Sequence, residues 1–137
     1  MPGWLVRGSR ILAVASALTY LVVSASPEFG PSAPFSTPPI VLYLGFVAGG
    51  IITGWQEGEL RRGVASLASV VAIPALVFGT AMVLLPLTLG RAAFINLLIL
   101  GALQRMAVYL LYGAVLGGIG LVGGLALAEF VFTRFRP

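Results

Sequence analysis

The run from Ala92 to Phe132 is apolar apart from Asn96, Gln104, Arg105 and Glu129, and "VASLASVVAIPALVFGTAMVLLPLTL", Val64 to Leu89, carries no charge. Neither run alternates in polarity, as the roughly ten-residue segments of an outer-membrane barrel would. In hydrocarbon the backbone must satisfy its own polar groups, which leaves helices. The expected fold class is therefore all-α, a polytopic membrane protein. Composition points the same way. Of 137 residues, 59% are hydrophobic and 9% charged, against about 25% charged in soluble domains.

The chain divides into four predicted transmembrane helices within a single integral membrane domain, 1–137. The first covers about 10–25, where "ILAVASALTYLVV" follows Arg7 and Arg10. This layout resembles a secretory signal peptide, with small residues at Ser24, Ala25 and Ser26, but Pro27 just beyond opposes cleavage. An uncleaved helix is expected. It is short for a core of about 30 Å, so Trp4 and the arginines reach outward to complete it. "SPEFGPSAPFSTPP", 26–39, holds five of the nine prolines and predicts a stiff, extended outer loop. Its Phe29 and Phe35 either contact a partner or rest on the bilayer surface. The second helix is predicted over 40–55, with Pro39 suited to start it. After the charged turn "QEGELRR", the third covers 63–89, with a kink at Pro74 and an end aided by Pro86 and Gly90.

Gln104 and Arg105 decide the last part. Ala92 to Leu103 is about 18 Å of helix, too short to cross, whereas Met106 to Phe132 is about 40 Å. The fourth helix is therefore predicted over 106–132. Residues 92–105 become an interfacial or re-entrant helical segment, or a protruding start of helix four. Arg105 then acts as an interface anchor, with Tyr109 and Tyr112 one and two turns on, as in an aromatic belt. The competing reading is a functional charge within the membrane.

Eight basic residues face four acidic ones. All eight are arginines, scattered in pairs between apolar runs, which is the distribution of topology determinants rather than of a nucleic-acid patch. With the N-terminus inside, Arg7, Arg10, Arg61, Arg62, Arg134 and Arg136 lie on the cytoplasmic side, and Arg91 and Arg105 outside. Both termini are thus expected in the cytoplasm, in what reads as a prokaryotic plasma membrane.

Small residues recur four apart on every predicted helix. Gly45, Gly49 and Thr53 form such a row, beside Gly50 and Gly54; Gly113 with Gly117 and Gly120 with Gly124 form others. In lipid such rows allow backbones to approach closely. The six glycines of "GAVLGGIGLVGG" exceed what one intramolecular contact needs, so part of that face is expected to meet another chain. Glu129 lies near Phe130, Arg134 and Arg136. It is expected in an interfacial ion pair on the side of Arg61 and Arg62, the competing reading being a proton or cation site. Glu57 and Glu59 are expected in a solvated turn with those arginines.

The absence of histidine and cysteine excludes ordinary zinc, haem and iron–sulfur ligation. Without lysine or aspartate as well, Schiff-base chemistry and the usual triads are excluded. No cofactor, no catalysis and no nucleic-acid partner are expected. The unit "LGFVAGGIITGWQEGELRRGVASLASVV", Leu44 to Val71, is similar to uncharacterised small glycine-rich multi-helix membrane proteins of archaea. The likeness covers about a fifth of the chain: a glycine-rich helix, a short charged turn with "RRG", and a small-residue helix. It implies a membrane bundle and supplies no functional residues. Two functions fit. One is a non-catalytic membrane subunit packing into a larger assembly with lipids and with other integral membrane proteins or its own copies. The other is a small homo-oligomeric channel or transporter lined by Ser66, Ser69, Thr80 and Asn96, with Arg105 as a further candidate.

Overall fold

The computed structural model describes residues 2–25, 39–88, 90 and 95–134. The 26–38 segment with Phe29 and Phe35, and also Arg91 and Arg136, lie outside the described residues. The chain is all-α, with helices α1 (Gly3–Ala25), α2 (Pro39–Glu57), α3 (Leu60–Thr88) and α4 (Ile95–Arg134). Each is long and apolar enough to cross a membrane.

The helices end close to the expected positions, but several start earlier. The helix α1 starts at Gly3 rather than near Arg10, its first turn joined by the Leu5 N–H to the Pro2 carbonyl at 3.0 Å. Arg7 and Arg10 therefore stand on the helix, because an arginine is a good helix former and marks no helix end. The same reasoning moves the start of the fourth helix from 106 to Ile95. Of the alternatives for 92–105, the described part, residues 95–105, takes the last, a start of helix four, and forms the opening turns of an unbroken 40-residue α4. No proline interrupts 95–134, and neither Gln104 nor Arg105 disfavours a helix. Helix α3 contains Pro74 and Pro86 and ends at Thr88, within a residue of its expected end. Between α2 and α3 the chain turns on Gly58 (φ 66°), whose N–H donates to the Gly54 carbonyl at 3.1 Å. This left-handed cap ends α2 and needs glycine.

The registers give the directions. Gly120 lies against Val47 and Gly124 against Ile51, so α2 and α4 run parallel. Gly63 meets Leu121, Gly117 meets Leu67 and Gly113 meets Val71, so α3 runs antiparallel to α4. Gly45 and Gly49 meet Leu21 and Leu18, so α1 is antiparallel to α2. The result is an up-down-up-down bundle. Helix α2 has its most extensive contact with α4, followed by α3 with α4, while α1 touches α2 and α3. Phe46, Phe78, Val22, Val70 and Pro74 are fully buried at the centre.

The α2–α4 contact is backbone against backbone. A β-carbon at Gly50 would overlap the Gly117 carbonyl oxygen, and one at Gly54 the Leu121 carbonyl oxygen. From the other side, Gly120 and Gly124 leave the same lack of room against the carbonyls of Val47 and Ile51. Gly118 and Gly123 have open space. Gly120→Leu is therefore expected to destabilise the bundle by about 3 kcal/mol or more, since added volume must displace backbone. Gly123→Leu is expected to leave stability unchanged. Unfolding midpoints in detergent check this, and equal midpoints for the two variants would remove the seam's special status.

Candidate functional site

Three helix ends meet at one end of the bundle, and there the sparse polar residues converge. Arg7, in the second turn of α1, places Nε 2.9 Å from Oε1 of Glu57, the last residue of α2. The Ser66 hydroxyl, from α3, donates to that same oxygen at 2.6 Å. An Arg7 terminal nitrogen donates to Ser66 Oγ at 3.0 Å and to the Arg62 carbonyl at 3.4 Å. Ser66 thus accepts from the guanidinium and donates to the carboxylate, closing a triangle across α1, α2 and α3.

A carboxylate at a helix C-terminus faces the negative end of the helix dipole and needs compensation. Arg7 and Ser66 provide it through charge-assisted hydrogen bonds. The expectation of a solvated Glu57 is therefore corrected: its side chain is 12% exposed, against 44% for Arg7. Glu59 is the solvated one, 3.3 Å from Arg62 in an exposed i,i+3 pair.

Between described residues the ion pairs are Arg7–Glu57 and Arg62–Glu59, so the pairing expected for Glu129 is not formed with Arg61, Arg62 or Arg134, and Arg136 lies outside the described residues. Glu129 borders a groove with Gly58, Leu60, Leu125, Ala128 and Phe132. Arg134 lies over the Phe130 ring at 5.3 Å, a cation–π contact. Arg105 stands exposed on α4, 24 residues before Glu129, about 36 Å along the helix. Of its expected aromatic companions, Tyr112 is exposed and 5.4 Å from Tyr43 between ring centroids. Tyr109 turns inward, meeting Phe78 edge-on at 5.0 Å.

The glycines and Thr53 named from the sequence divide between two faces. Gly45 and Gly49 face α1 side chains, and a β-carbon at Gly45 would come 2.5 Å from Leu21 Cδ1. Thr53 is buried, its hydroxyl donating to the Gly49 carbonyl at 2.7 Å. Gly113 and Gly117 receive Val71 and Leu67 of α3, and Gly120 and Gly124 meet α2. The expectation that this α4 face turns to another chain is corrected for those four positions. Gly50 and Gly54 carry the α2 side of the seam, and their own four-residue spacing was the available signal. Arg7 with Glu57 had none, being fifty residues apart. Within one chain the polar residues considered for a pore between copies lie apart: Ser66 belongs to the triangle, Ser69 bonds its own helix, and Thr80 and Asn96 are exposed.

No protein-family model, curated protein or solved structure matches the chain.

Removing Arg7 strands a mostly buried carboxylate, whereas removing the Glu57 charge leaves a half-exposed guanidinium free to reach water. Arg7→Gln is expected to cost about 2 kcal/mol and Glu57→Gln about 1 kcal/mol. A double-mutant cycle on detergent unfolding measures this, and additive effects would show the triangle to be uncoupled.

Proposed function

We propose that the chain is a four-span integral membrane protein with both termini cytoplasmic, acting as a non-catalytic subunit that packs into a larger membrane assembly. The observation that carries the reading is the apolar hairpin formed by the end of α3 and the start of α4. Gly79 against Met106 and Gly101 against Met82 hold the two helices together past the level of Arg105, beyond the start of α2. There Leu97 and Leu100 are 66% and 64% exposed, with Leu84, Leu85 and Leu103 also exposed.

A bilayer placement gives that surface its meaning. The separation of Arg105 and Glu129, about 36 Å, lies between a hydrocarbon core of about 30 Å and a full thickness of about 40–45 Å. With those two residues at opposite interfaces, Arg7, Arg10, Arg61 and Arg62 lie near the cytoplasmic face and Arg134 beyond it. Such clustering satisfies the positive-inside rule. The end of α3 and the start of α4 then emerge on the outer side with leucines that water does not favour, and large exposed apolar patches mark contact surfaces. The centre of the bundle, filled by Phe46, Phe78 and Val70, offers no polar route through one chain. The fitting partners are lipids and other integral membrane proteins or copies of the chain. The archaeal likeness of 44–71 belongs with the same reading.

Two experiments test it. The native chain lacks cysteine, so single cysteines report topology directly. Ser9→Cys and Thr133→Cys are expected to resist a membrane-impermeant maleimide in intact cells, and Thr88→Cys to react; the reverse pattern would invert the topology. Gentle extraction followed by native mass spectrometry is expected to give fixed stoichiometry with different proteins. A pure homo-oligomer would instead favour the channel reading.

A further inference from the structure

Two shallow grooves run along opposite sides of the bundle, and they share one construction. The first, about 540 Å³, lies between α3 and α4, with Ala68 and Ala72 facing Ala114 and Gly118. The second, about 360 Å³, lies between α1 and α2, with Ala13 and Ala17 facing Gly45 and Ala48. Each is almost wholly apolar, and small residues three or four apart make its floor. Each also begins one turn from an arginine on the same helix face. Arg61 precedes Val64 and Ala68 by three and seven residues, and Arg10 precedes Ala13 and Ala17 by the same steps. Both arginines are exposed, and the ion pairs between described residues involve neither. Both stand at the arginine-rich end of the bundle.

We infer that these grooves each seat one acyl chain of an anionic phospholipid, with Arg10 and Arg61 binding the phosphates. Groove length chooses the occupant. The α3 side of the first groove runs from Val64 to Ala72, and the α1 side of the second from Ala13 to Leu21. Eight helical steps are about 12 Å, close to one leaflet of a core of about 30 Å. A transmembrane partner helix needs about 20 residues of contact across both leaflets. Charge chooses the headgroup. A guanidinium binds phosphate oxygens in a bidentate fork, and here it stands one turn outside an apolar slot. The long arginine stem lies along the groove mouth while its charge reaches the headgroup level. Both grooves thus open to the same leaflet, the one on the arginine-rich side.

The inference rests on the membrane reading above, and the test separates the two. The full chain is reconstituted in vesicles of equal parts phosphatidylglycerol and phosphatidylcholine, floated on a density gradient, released in mild detergent and weighed by native mass spectrometry. Retained phosphatidylglycerol is expected on the unaltered chain. Filling a groove with Gly118→Leu or Ala17→Leu is expected to remove one retained lipid each. Gly123→Leu, the same change on open surface, should remove none and controls for folding. Arg61→Gln or Arg10→Gln should keep a lipid but lose a roughly fivefold preference for phosphatidylglycerol at that groove. Unchanged lipid counts in both filled variants would overturn the inference, as would a floated chain that retains no lipid. Loss of an oligomer in Gly118→Leu at constant lipid count would assign that groove to a second copy. A chain that does not float with the vesicles would overturn the membrane reading itself.

Discussion

The fold depends on the approach of α2 to α4. Gly50, Gly54, Gly120 and Gly124 let two helix backbones meet with no side chain between them, and any β-carbon on that line would displace a carbonyl. Because α2 and α4 run parallel, the chain must return along its full height between them. Helix α3 makes that return and packs Leu67 and Val71 into the hollows left by Gly117 and Gly113. One close contact therefore fixes the directions of α2, α3 and α4. In a bilayer, lipid tails are as apolar as leucine, so the gain from such a seam is packing and dispersion rather than escape from water.

Helix α1 is held differently. It packs leucines over Gly45 and Gly49, but its end is tied by the Arg7–Glu57–Ser66 triangle. The two devices act at different levels of the bundle, one along the middle and one at the charged end. An ion pair of this kind contributes little net energy where it remains half exposed. Its geometric effect is stronger, since one carboxylate oxygen receives both an arginine and a serine and so admits few alternative alignments of three helices.

Much of this architecture is legible in the sequence, and the illegible parts have definite causes. Long uninterrupted apolar runs specify four helices, because nothing else satisfies the backbone in such segments. Helix ends are less legible. Arg7, Arg10 and Arg105 all stand inside helices, because a single charge does not stop a helix. Small-residue spacing reveals that faces exist without assigning them. Helix α2 has two glycine rows about one residue apart, and sequence alone does not say that Gly45 and Gly49 serve α1 while Gly50 and Gly54 serve α4. Arg7 and Glu57 are the limiting case. Only the folded arrangement of α1 and α2 brings them together, and Ser66 joins them because α3 starts directly after the turn at Gly58.

The length of α4 connects these points to function. Forty residues make a helix of about 60 Å, about twice a hydrocarbon core. A helix bundle meant only to span a membrane has no use for the excess, and a soluble extension would carry charge. The excess here is neither. Leu97, Leu100 and Leu103 extend an apolar surface past Arg105, and α3 accompanies it through Met82 to Leu85. Such a surface is stable in water only when something covers it. On the bilayer placement proposed above, Arg105 would oppose sinking these helix ends deeper, since that would draw its guanidinium toward hydrocarbon. The arginine and the leucines would then oppose each other along one helix, and a covering partner at the ends of α3 and α4 would satisfy both.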